Sequence, residues 1–363
     1  MKKILYMTLS EHLESDSGVN KKIKSQVRAL EKLGHIVHLS GRSKDGYAFF
    51  KQEKIIDITV KRDRKSIFNK IFDYLSLNNI TVLYMRKITI DYYFLSFVKR
   101  LKRHNIRVFI EIPTYPYDQE VEGIRQLIVN LVDRVFRSQV SRCVEGIVTF
   151  SQDKEIFGIP CINISNGIDE SEIQLNYLEN NDILNFVSVS AMRYWHGIDR
   201  FLESLALVDD TLKKKIRLHI VGPNNKYCES LKMAVGKLDL RENVKFYGYM
   251  NLEQLSKIYK ISQFGVGSLG RHRSGIEQLS SLKNREYAAK GLHIIYSEKD
   301  LDFDHQCFVY KVGANDEAFD LTLIINDYLN KKVARESIVD FSKKFTWLNQ
   351  MKKISVHIES GDE

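Results

Sequence analysis

The amino-acid sequence predicts an α/β protein built from two Rossmann-like halves, each a parallel sheet with helices on both faces. Three observations carry this prediction. The chain has 363 residues, and single cores usually stop growing at about 250–300 residues. Short β-branched runs alternate with helical stretches, the pattern of a parallel sheet. The alternation pauses at a polar stretch, residues 169–182, and then starts again.

In the first half, residues 3–7 read as a strand and 20–33 as a helix, with Ile23, Val27, Leu30 and Leu33 near helical spacing. Gly34 stops that helix, and 36–39 is the next strand. Further strands are expected at 55–60, 81–84, 107–111 and 146–149, with helices at 67–77, 88–104 and 120–142. The second half reads as strands at 185–190, 216–221, 244–247, 264–267 and 293–296. A helix is expected at 197–208, others lie between the later strands, and helices at 315–330 and 333–358 close the chain. The expected domains are 1–168 and 169–341, with a helix at about 342–363 packing back on the first. Ligands of such sheets sit at the carboxyl ends of the strands. A cleft between two facing sheets is therefore the expected active site.

Charge is unevenly placed. The chain carries a formal +9, and residues 1–165 hold 28 Lys and Arg against 18 Asp and Glu, while the remainder holds 27 against 28. A basic first half points to an anionic partner such as a membrane surface or a diphosphate-bearing lipid. No motif or repeat of a nucleic-acid-binding protein accompanies the charge, so no nucleic acid is expected. Cys143, Cys161, Cys228 and Cys307 form no C-x-x-C pair and have no His at metal-ligand spacing, which reads as four reduced thiols in a cytoplasmic protein. The N-terminal apolar run is too short for a signal peptide, and no stretch reaches the ~18 apolar residues of a membrane span.

Several residues have the chemistry of an anion site. The first strand leads into Ser17-Gly18-Val19 before a helix, where a glycine lets backbone approach a ligand and helix N–H groups suit an anion. Arg193 follows the strand at 185–190, where a guanidinium can hold a diphosphate bidentately, and His196 can add a hydrogen bond. After the glycine-containing loop 265–275 comes the run from Glu277 to Gly291. Its serines can cap a helix, Lys283 adds a point charge, and Glu286, one turn on, can accept from ribose hydroxyls. Asp300-Leu-Asp302-Phe-Asp304 has the Asp-x-Asp spacing of metal-dependent sugar transferases but lacks their context, and reads as a surface acidic loop. In 119–142, Ile124, Leu127, Ile128, Leu131, Val132, Val135 and Phe136 make an apolar stripe flanked by Arg125, Arg134, Arg137 and Arg142. A core-facing helix is the favoured reading, and an interfacial helix near anionic lipid the alternative.

The order Ser17-Gly18-Val19, Glu111 to Tyr117, Ser165 to Asp169, Trp195 to Asp199 and Ser281 to Gly291 resembles bacterial family-4 glycosyltransferases of the GT-B fold, over nearly the whole chain. The resemblance implies a retaining, metal-independent, hexosyltransferase-type enzyme. Its donor would be a nucleotide diphosphate sugar, with UDP favoured and no cofactor. Its acceptor would be a glycan, lipid-linked through a polyprenyl diphosphate, in capsule or lipopolysaccharide synthesis, with peripheral contact at the inner face of the plasma membrane. Carried over by motif, Arg193, Lys283 and Gly18 would be catalytic. His196, Glu277, Gln278, Ser281, Leu282, Lys283 and Glu286, with Arg193, would bind the donor. Ser17, Gly18, Thr114, Tyr115 and Tyr117 would bind the acceptor, so that domain 1–168 would be the acceptor-binding one and 169–341 the nucleotide-sugar-binding one, and no residue would bind metal. Asn166-Gly167 matches the family's interdomain connection. Two departures stand out. His196 replaces a phosphate-binding Lys, so its charge near pH ~6.5 is open. The first glutamate of the family's two-glutamate motif falls on Gln278, with Glu277 adjacent. A GT-B sugar-nucleotide epimerase or a non-catalytic partner subunit are the alternatives.

Overall fold

The computed structural model of the protein describes residues 1–14, 17–59, 63–113, 115, 124–175 and 182–360. Two compact units are present: Met1–Ser165 with Trp347–Glu363, and Asn166–Thr346. The boundaries thus fall at 165/166 and 346/347 instead of the expected 168/169 and 341/342.

The first unit holds one sheet formed by β1 (Lys3–His12), β2 (Ile36–Ser43), β3 (Gly46–Lys51), β4 (Lys54–Thr59), β5 (Val82–Arg86), β6 (Arg107–Ile112), β7 (Gly146–Thr149), β8 (Glu155–Ile156) and β9 (Ile159–Asn163). The strand order is β4-β3-β2-β1-β5-β6-β7-β9-β8. Strands β2, β1, β5, β6, β7 and β9 are parallel neighbours, whereas β3, β4 and β8 pair antiparallel. The expected strand at 55–60 therefore joins the sheet through hairpins and not through a helical crossover. Its turn hides well in the sequence. Gln52 and Glu53 both adopt left-handed φ, 49° and 63°, in a two-residue turn that Asn-Gly usually marks.

Side chains alternate across this sheet with the strand period of two. Leu5, Met7, Leu83 and Met85 enter one apolar core, and Ile4, Tyr6, Val82 and Tyr84 the other. Helices α1 (Gly18–Lys32), α2 (Arg64–Leu77), α3 (Tyr92–Arg103) and α4 (Ile124–Val140) connect the strands. Ser17, Asp63 and Asp91 cap the first three by accepting from a first-turn N–H. The apolar stripe of α4 does not face the core as expected. Leu131 and Val135 are 64% and 57% exposed, whereas Asn130 and Asp133 are buried. Asp133 accepts from the Ile90 N–H at 2.8 Å, so a hydrogen bond docks the inner side of α4, helped by Phe136 and Val140. The side chains of residues 124–128 lie outside the described residues.

The second unit holds β10 (Leu184–Val189), β11 (Ile216–Val221), β12 (Val244–Phe246), β13 (Phe264–Val266), β14 (His293–Tyr296) and β15 (Val309–Lys311), ordered β12-β11-β10-β13-β14-β15. Every pair is parallel. The sequence did not announce β15. Around the sheet lie α5 (Ile198–Ala206), α6 (Asp210–Lys213), α7 (Lys226–Lys237), α8 (Leu252–Ile261), α9 (Leu282–Ala289), α10 (Leu321–Lys331) and α11 (Arg335–Ser342). The single helix expected at 333–358 is broken after α11, where Ile168 N–H donates to the Phe345 carbonyl at 2.9 Å. The chain then returns to the first unit as α12 (Trp347–Glu359), whose Met351, Ile354 and Ile358 pack in one core with Ile23 and Leu30 of α1. Among the described residues, no helix is long and apolar enough to cross a membrane.

A buried carboxylate ties the first unit together. Glu111, at the end of β6, is 0% exposed. It accepts from Tyr84 Oη at 2.7 Å and Gln26 Nε2 at 2.9 Å. Lys22 Nζ lies 3.3 Å and Arg86 Nε 3.9 Å from its other oxygen. Burial raises the Glu111 pKa and the Lys22 and Arg86 charges outweigh it, leaving the carboxyl below its usual range. Burial pulls Lys22 down to about 8 against the opposing pull of Glu111. Removing the carboxylate would strand two cations. Glu111→Ala is expected to cost about 3–5 kcal/mol in urea unfolding, whereas Arg28→Ala, whose pair with Glu53 is exposed, is expected to cost under ~1 kcal/mol.

Candidate functional site

The second unit gathers charge where the strand order reverses, past the carboxyl ends of β10 and β13. After β10, a single 3-10 turn at Tyr194–His196 leads into Gly197 and α5. Gly197 has φ 64°, and a Cβ there would lie 2.4 Å from the Gly270 N. Only glycine lets these two loops cross so closely. The second loop is held from both sides. Arg273 donates to Asp199 at 2.9 and 2.7 Å and to Asp316 at 2.6 Å, while Tyr227 Oη also donates to Asp199 at 2.7 Å. The buried Arg200 donates to the carbonyls of Leu269 and Glu317. Arg193 and Arg271 then stand over the Trp195 ring, 6.0 and 5.9 Å from its centroid.

His196 is buried, and its Nδ1 accepts from the Arg193 N–H at 3.2 Å, which leaves the ring proton on Nε2. Burial, followed by the charges of Lys283, Arg271 and Arg193, pushes its pKa far below the ordinary value. His196 is therefore a neutral donor, which answers the question its place in the motif raised.

Lys283 and Glu286 sit on α9, one turn apart. The helix starts at Ser281, whose side chain makes no cap hydrogen bond, contrary to the expected serine cap. Its carbonyl instead accepts from Arg285 Nη1 at 3.0 Å. Ser280 is engaged by Asn166, whose N–H reaches its Oγ at 3.1 Å and whose Nδ2 reaches its carbonyl at 2.6 Å. Arg285 is fully buried and forks onto Asp300, at 2.5 and 3.1 Å, and onto Asp302 at 2.5 Å. The Asp-x-Asp run is thus no surface acidic loop. Asp300 is 1% exposed and also accepts from Asn284, and Asp304 is taken by Lys311 and Tyr296. These acids serve as a clamp on α9.

Lys283 Nζ is buried without a hydrogen-bond partner among the described residues. Burial lowers its pKa to about 8, opposed by Glu298 and Glu286 and assisted by Arg271. Glu298, just past β14, was not singled out in the sequence. It is 2% exposed, and neither carboxylate oxygen finds a donor in another of the described residues. Burial raises its pKa to about 7. The next residue, Lys299, pairs with the 277–279 segment. Its N–H donates to the Glu277 carbonyl at 2.7 Å, and the Leu279 N–H donates to its carbonyl at 2.9 Å. Glu277 and Gln278 are exposed. The acid buried beside Lys283 is Glu298, on the segment that pairs with them. A lone Glu after a short strand carries no periodic signal, which is why the sequence did not mark it.

Arg193, His196, Lys283 and Glu286 are therefore brought into one electrostatic neighbourhood, which Arg271 and Glu298 join. In the first unit, Gly18 opens α1 with nothing among the described residues within 4 Å of where a Cβ would stand, and Ser17 caps that helix. Tyr115 packs edge to face on Phe157 at 5.9 Å. Thr114 and Tyr117 lie outside the described residues.

These two parallel-sheet units have the fold of the GT-B glycosyltransferases. Residues 169–268 match the family described as Glycosyl transferases group 1. Among solved structures, the chain is similar to a glycosyltransferase from Rickettsia africae (TM-score 0.73, 15% identity, covering 100% of this chain and 99% of that one). It is similar to sucrose-phosphate synthase from Thermosynechococcus elongatus (TM-score 0.65, 12% identity, 99% of each chain). Anabaena HepE, solved in complex with UDP, gives a TM-score of 0.66 at 11% identity over 99% of this chain and 100% of that one. A comparison with curated proteins finds no match.

Glu298 sets a pH dependence. Its folded pKa lies above the ordinary carboxyl value, so between pH ~4.5 and about 7 the folded state binds the extra proton and stability falls as pH rises. Glu298→Gln is expected to raise stability above pH 7 by roughly 1–3 kcal/mol and to change little at pH 4. Melting curves of the two proteins across pH check this.

Proposed function

We propose that the protein is a retaining glycosyltransferase that moves a hexose from a nucleotide diphosphate sugar to a glycan acceptor. The carrying observation is Lys283, whose buried Nζ makes no hydrogen bond among the described residues, held on α9 beside Arg271, Arg193 and the neutral His196 and within reach of the Glu298 and Glu286 charges. A buried charge is costly unless it is paired, and a diphosphate is a fitting pair. The group 1 match over residues 169–268 and the UDP bound by HepE support the same donor class, with UDP favoured.

In the proposed reaction, the bond between the anomeric carbon and the diphosphate oxygen breaks while the acceptor hydroxyl bonds to that carbon on the same face. The hydroxyl proton passes to the departing phosphate. Negative charge builds on the diphosphate as it leaves. Lys283, Arg193, Arg271 and the His196 Nε2–H stabilise it more in the transition state than in the ground state. Glu286 accepts from the ribose hydroxyls, and Glu298 offers a carboxylate for sugar hydroxyls in the place left by Gln278. These side chains supply the positive charge, so we assign the reaction no metal ion and no cofactor. Gly18, at the start of α1, is assigned a part in the reaction by its motif alone.

We further propose that the acceptor is lipid-linked and used in surface polysaccharide synthesis at the cytoplasmic face of the membrane. The outward Leu131 and Val135 of α4, with Arg134 exposed between them and Tyr92 and Tyr93 exposed at the start of α3, support peripheral attachment. Vesicles containing anionic lipid are expected to sediment the protein, and Leu131→Ser with Val135→Ser is expected to weaken this at least fivefold.

Lys283→Ala and Arg193→Ala are each expected to lower turnover about 10²–10³-fold while leaving the circular dichroism spectrum intact. Unchanged turnover in both removes the donor site. Glu286→Ala is expected mainly to weaken nucleotide binding in calorimetry. Activity that survives a chelator and a product of retained anomeric configuration by NMR are expected. Conversion of the nucleotide sugar without acceptor would identify an epimerase, and no conversion with any acceptor a non-catalytic subunit.

A further inference from the structure

The second unit begins at Asn166, and its first residues reach both ends of α9, the helix that carries Lys283 and Glu286. At the start, the Asn166 N–H donates to Ser280 Oγ at 3.1 Å and Asn166 Nδ2 donates to the Ser280 carbonyl at 2.6 Å. At the end, the Gln174 N–H donates to the Ala289 carbonyl at 3.0 Å, and Lys290 Nζ donates to the Glu172 carbonyl. The last carbonyls of a helix have no intrahelical partner, so Gln174 supplies one from outside. Between the two grips the segment is itself fixed. Ile168 is buried and bridges to Thr346, and the Glu172 N–H closes a 3-10 turn onto the Asp169 carbonyl at 2.9 Å.

The length of α9 makes such support matter. It has eight residues, and so short a helix is marginal by itself. Its inner side chains bind it to the sheet and to the segment after β14. Tyr287 Oη donates to the Val266 carbonyl at 3.2 Å and accepts from the Val189 N–H at 3.0 Å, while Arg285 and Asn284 bond to Asp300. These anchors lie near the middle of the helix. Lys283, Glu286 and Lys290 recur at i, i+3 and i+7 and lie along one side. A helix of this size is about 12 Å long, so a tilt of ~5° about its middle moves either end by ~0.5 Å. Misplacement by about 1 Å in a site can lower a rate ~10²-fold. Bonds at Ser280, Ala289 and Lys290 oppose that tilt where it displaces the chain most.

We infer that residues 166–174 form a brace that sets the tilt of α9, and that Asn166 is the positioning residue for Lys283 and Glu286. The inference rests on the nucleotide-sugar reading above, in which those two side chains meet the donor. Asn166 acts on them through Ser280, which leads into the first turn of α9. It is half-buried and belongs to neither apolar core of the second unit, so its replacement leaves both cores intact.

Hydrogen exchange of the full-length protein tests the brace, and calorimetric titration with UDP tests what the brace serves. The wild type is compared with Asn166→Ala, Asn166→Asp, Ser280→Ala and Asn243→Ala. Asn166→Asp keeps the size of the side chain but sets a carboxylate oxygen against the Ser280 carbonyl. Ser280→Ala removes only the Oγ acceptor and carries the test if the Asn166 variants do not fold. Asn243 is the matched control, since its Nδ2 also donates to carbonyls, those of Lys213 and Ile216 at 2.7 and 3.0 Å, beside the edge strand β12. The α9 amides are expected to exchange at least tenfold faster in both Asn166 variants, and at least threefold faster in Ser280→Ala, than in Asn243→Ala. UDP affinity is expected to fall at least tenfold in the Asn166 variants and less than twofold in the control. The pH profile separates positioning from a general loosening. Burial draws Lys283 down to about 8, opposed by Glu298 and Glu286 and assisted by Arg271, so wild-type affinity for UDP declines above that pH. A tilted α9 admits water to the Lys283 Nζ, and the decline moves to higher pH in the Asn166 variants. Equal α9 exchange in the Asn166, Ser280 and Asn243 variants overturns the inference. Faster exchange with unchanged UDP affinity and pH profile overturns it too. If neither UDP nor any nucleotide sugar binds the wild type, the donor reading falls, and the exchange of α9 alone decides for or against the brace.

Discussion

The buried fork of Arg285 onto Asp300 and Asp302 is the constraint on which the second unit's site depends. It joins the first turns of α9 to the segment after β14, the two pieces of chain that carry Lys283 and Glu298. A guanidinium with no exposure must satisfy its donors within the protein, and this one spends them on two carboxylates and the Ser281 carbonyl. The start of α9 is thereby fixed by its own interior and not by a side-chain cap. With that geometry secured, the Lys283 Nζ can be held buried with no hydrogen bond among the described residues, a state that isolated packing would not favour. The second clamp, Arg273 on Asp199, does the same for the loop that brings Arg271 over Trp195.

The first unit handles charge differently. Its internal carboxylate, Glu111, is held by hydrogen bonds from Tyr84 and Gln26 and by the charges of Lys22 and Arg86, and has a structural part in joining β6, β5 and α1. The remaining cations are sent outward, to the rim of a pocket beside β1 and β5 and to α4. The basic excess read from residues 1–165 is therefore no uniform coat. Part of it lines a concavity of about 600 Å³ with no acid among its described lining residues.

Much of this was legible in the sequence, for physical reasons. Buried parallel strands give compact β-branched runs, so β5, β6, β7, β11 and β14 fall close to where they were read. What escaped was set by tertiary context. The β3–β4 turn uses Gln52 and Glu53, residues that do not advertise left-handed backbone. The short β9 and β15 gain their stability from neighbours and not from pattern. In α4 the periodicity was right and its direction wrong, because Asp133 docks the helix through a hydrogen bond while Leu131 and Val135 face out. The Asp-x-Asp run looked like a solvent loop because its partner, Arg285, lies on another element. Arg193, His196, Lys283 and Glu286 were legible through motif order. Arg271 and Glu298 were not, since one opens a short 3-10 turn and the other follows a short strand, where spacing carries no information.

The depressed pKa of Lys283 has a thermodynamic consequence. An amine that titrates near pH 8 is incompletely protonated in mildly alkaline solution. An anion docking beside it favours the ammonium form and draws a proton from the medium. Heat measured for such an association then contains the ionisation enthalpy of whatever buffer supplied that proton. Titrations in HEPES and in Tris would differ by that amount while the affinity at a fixed pH stayed the same.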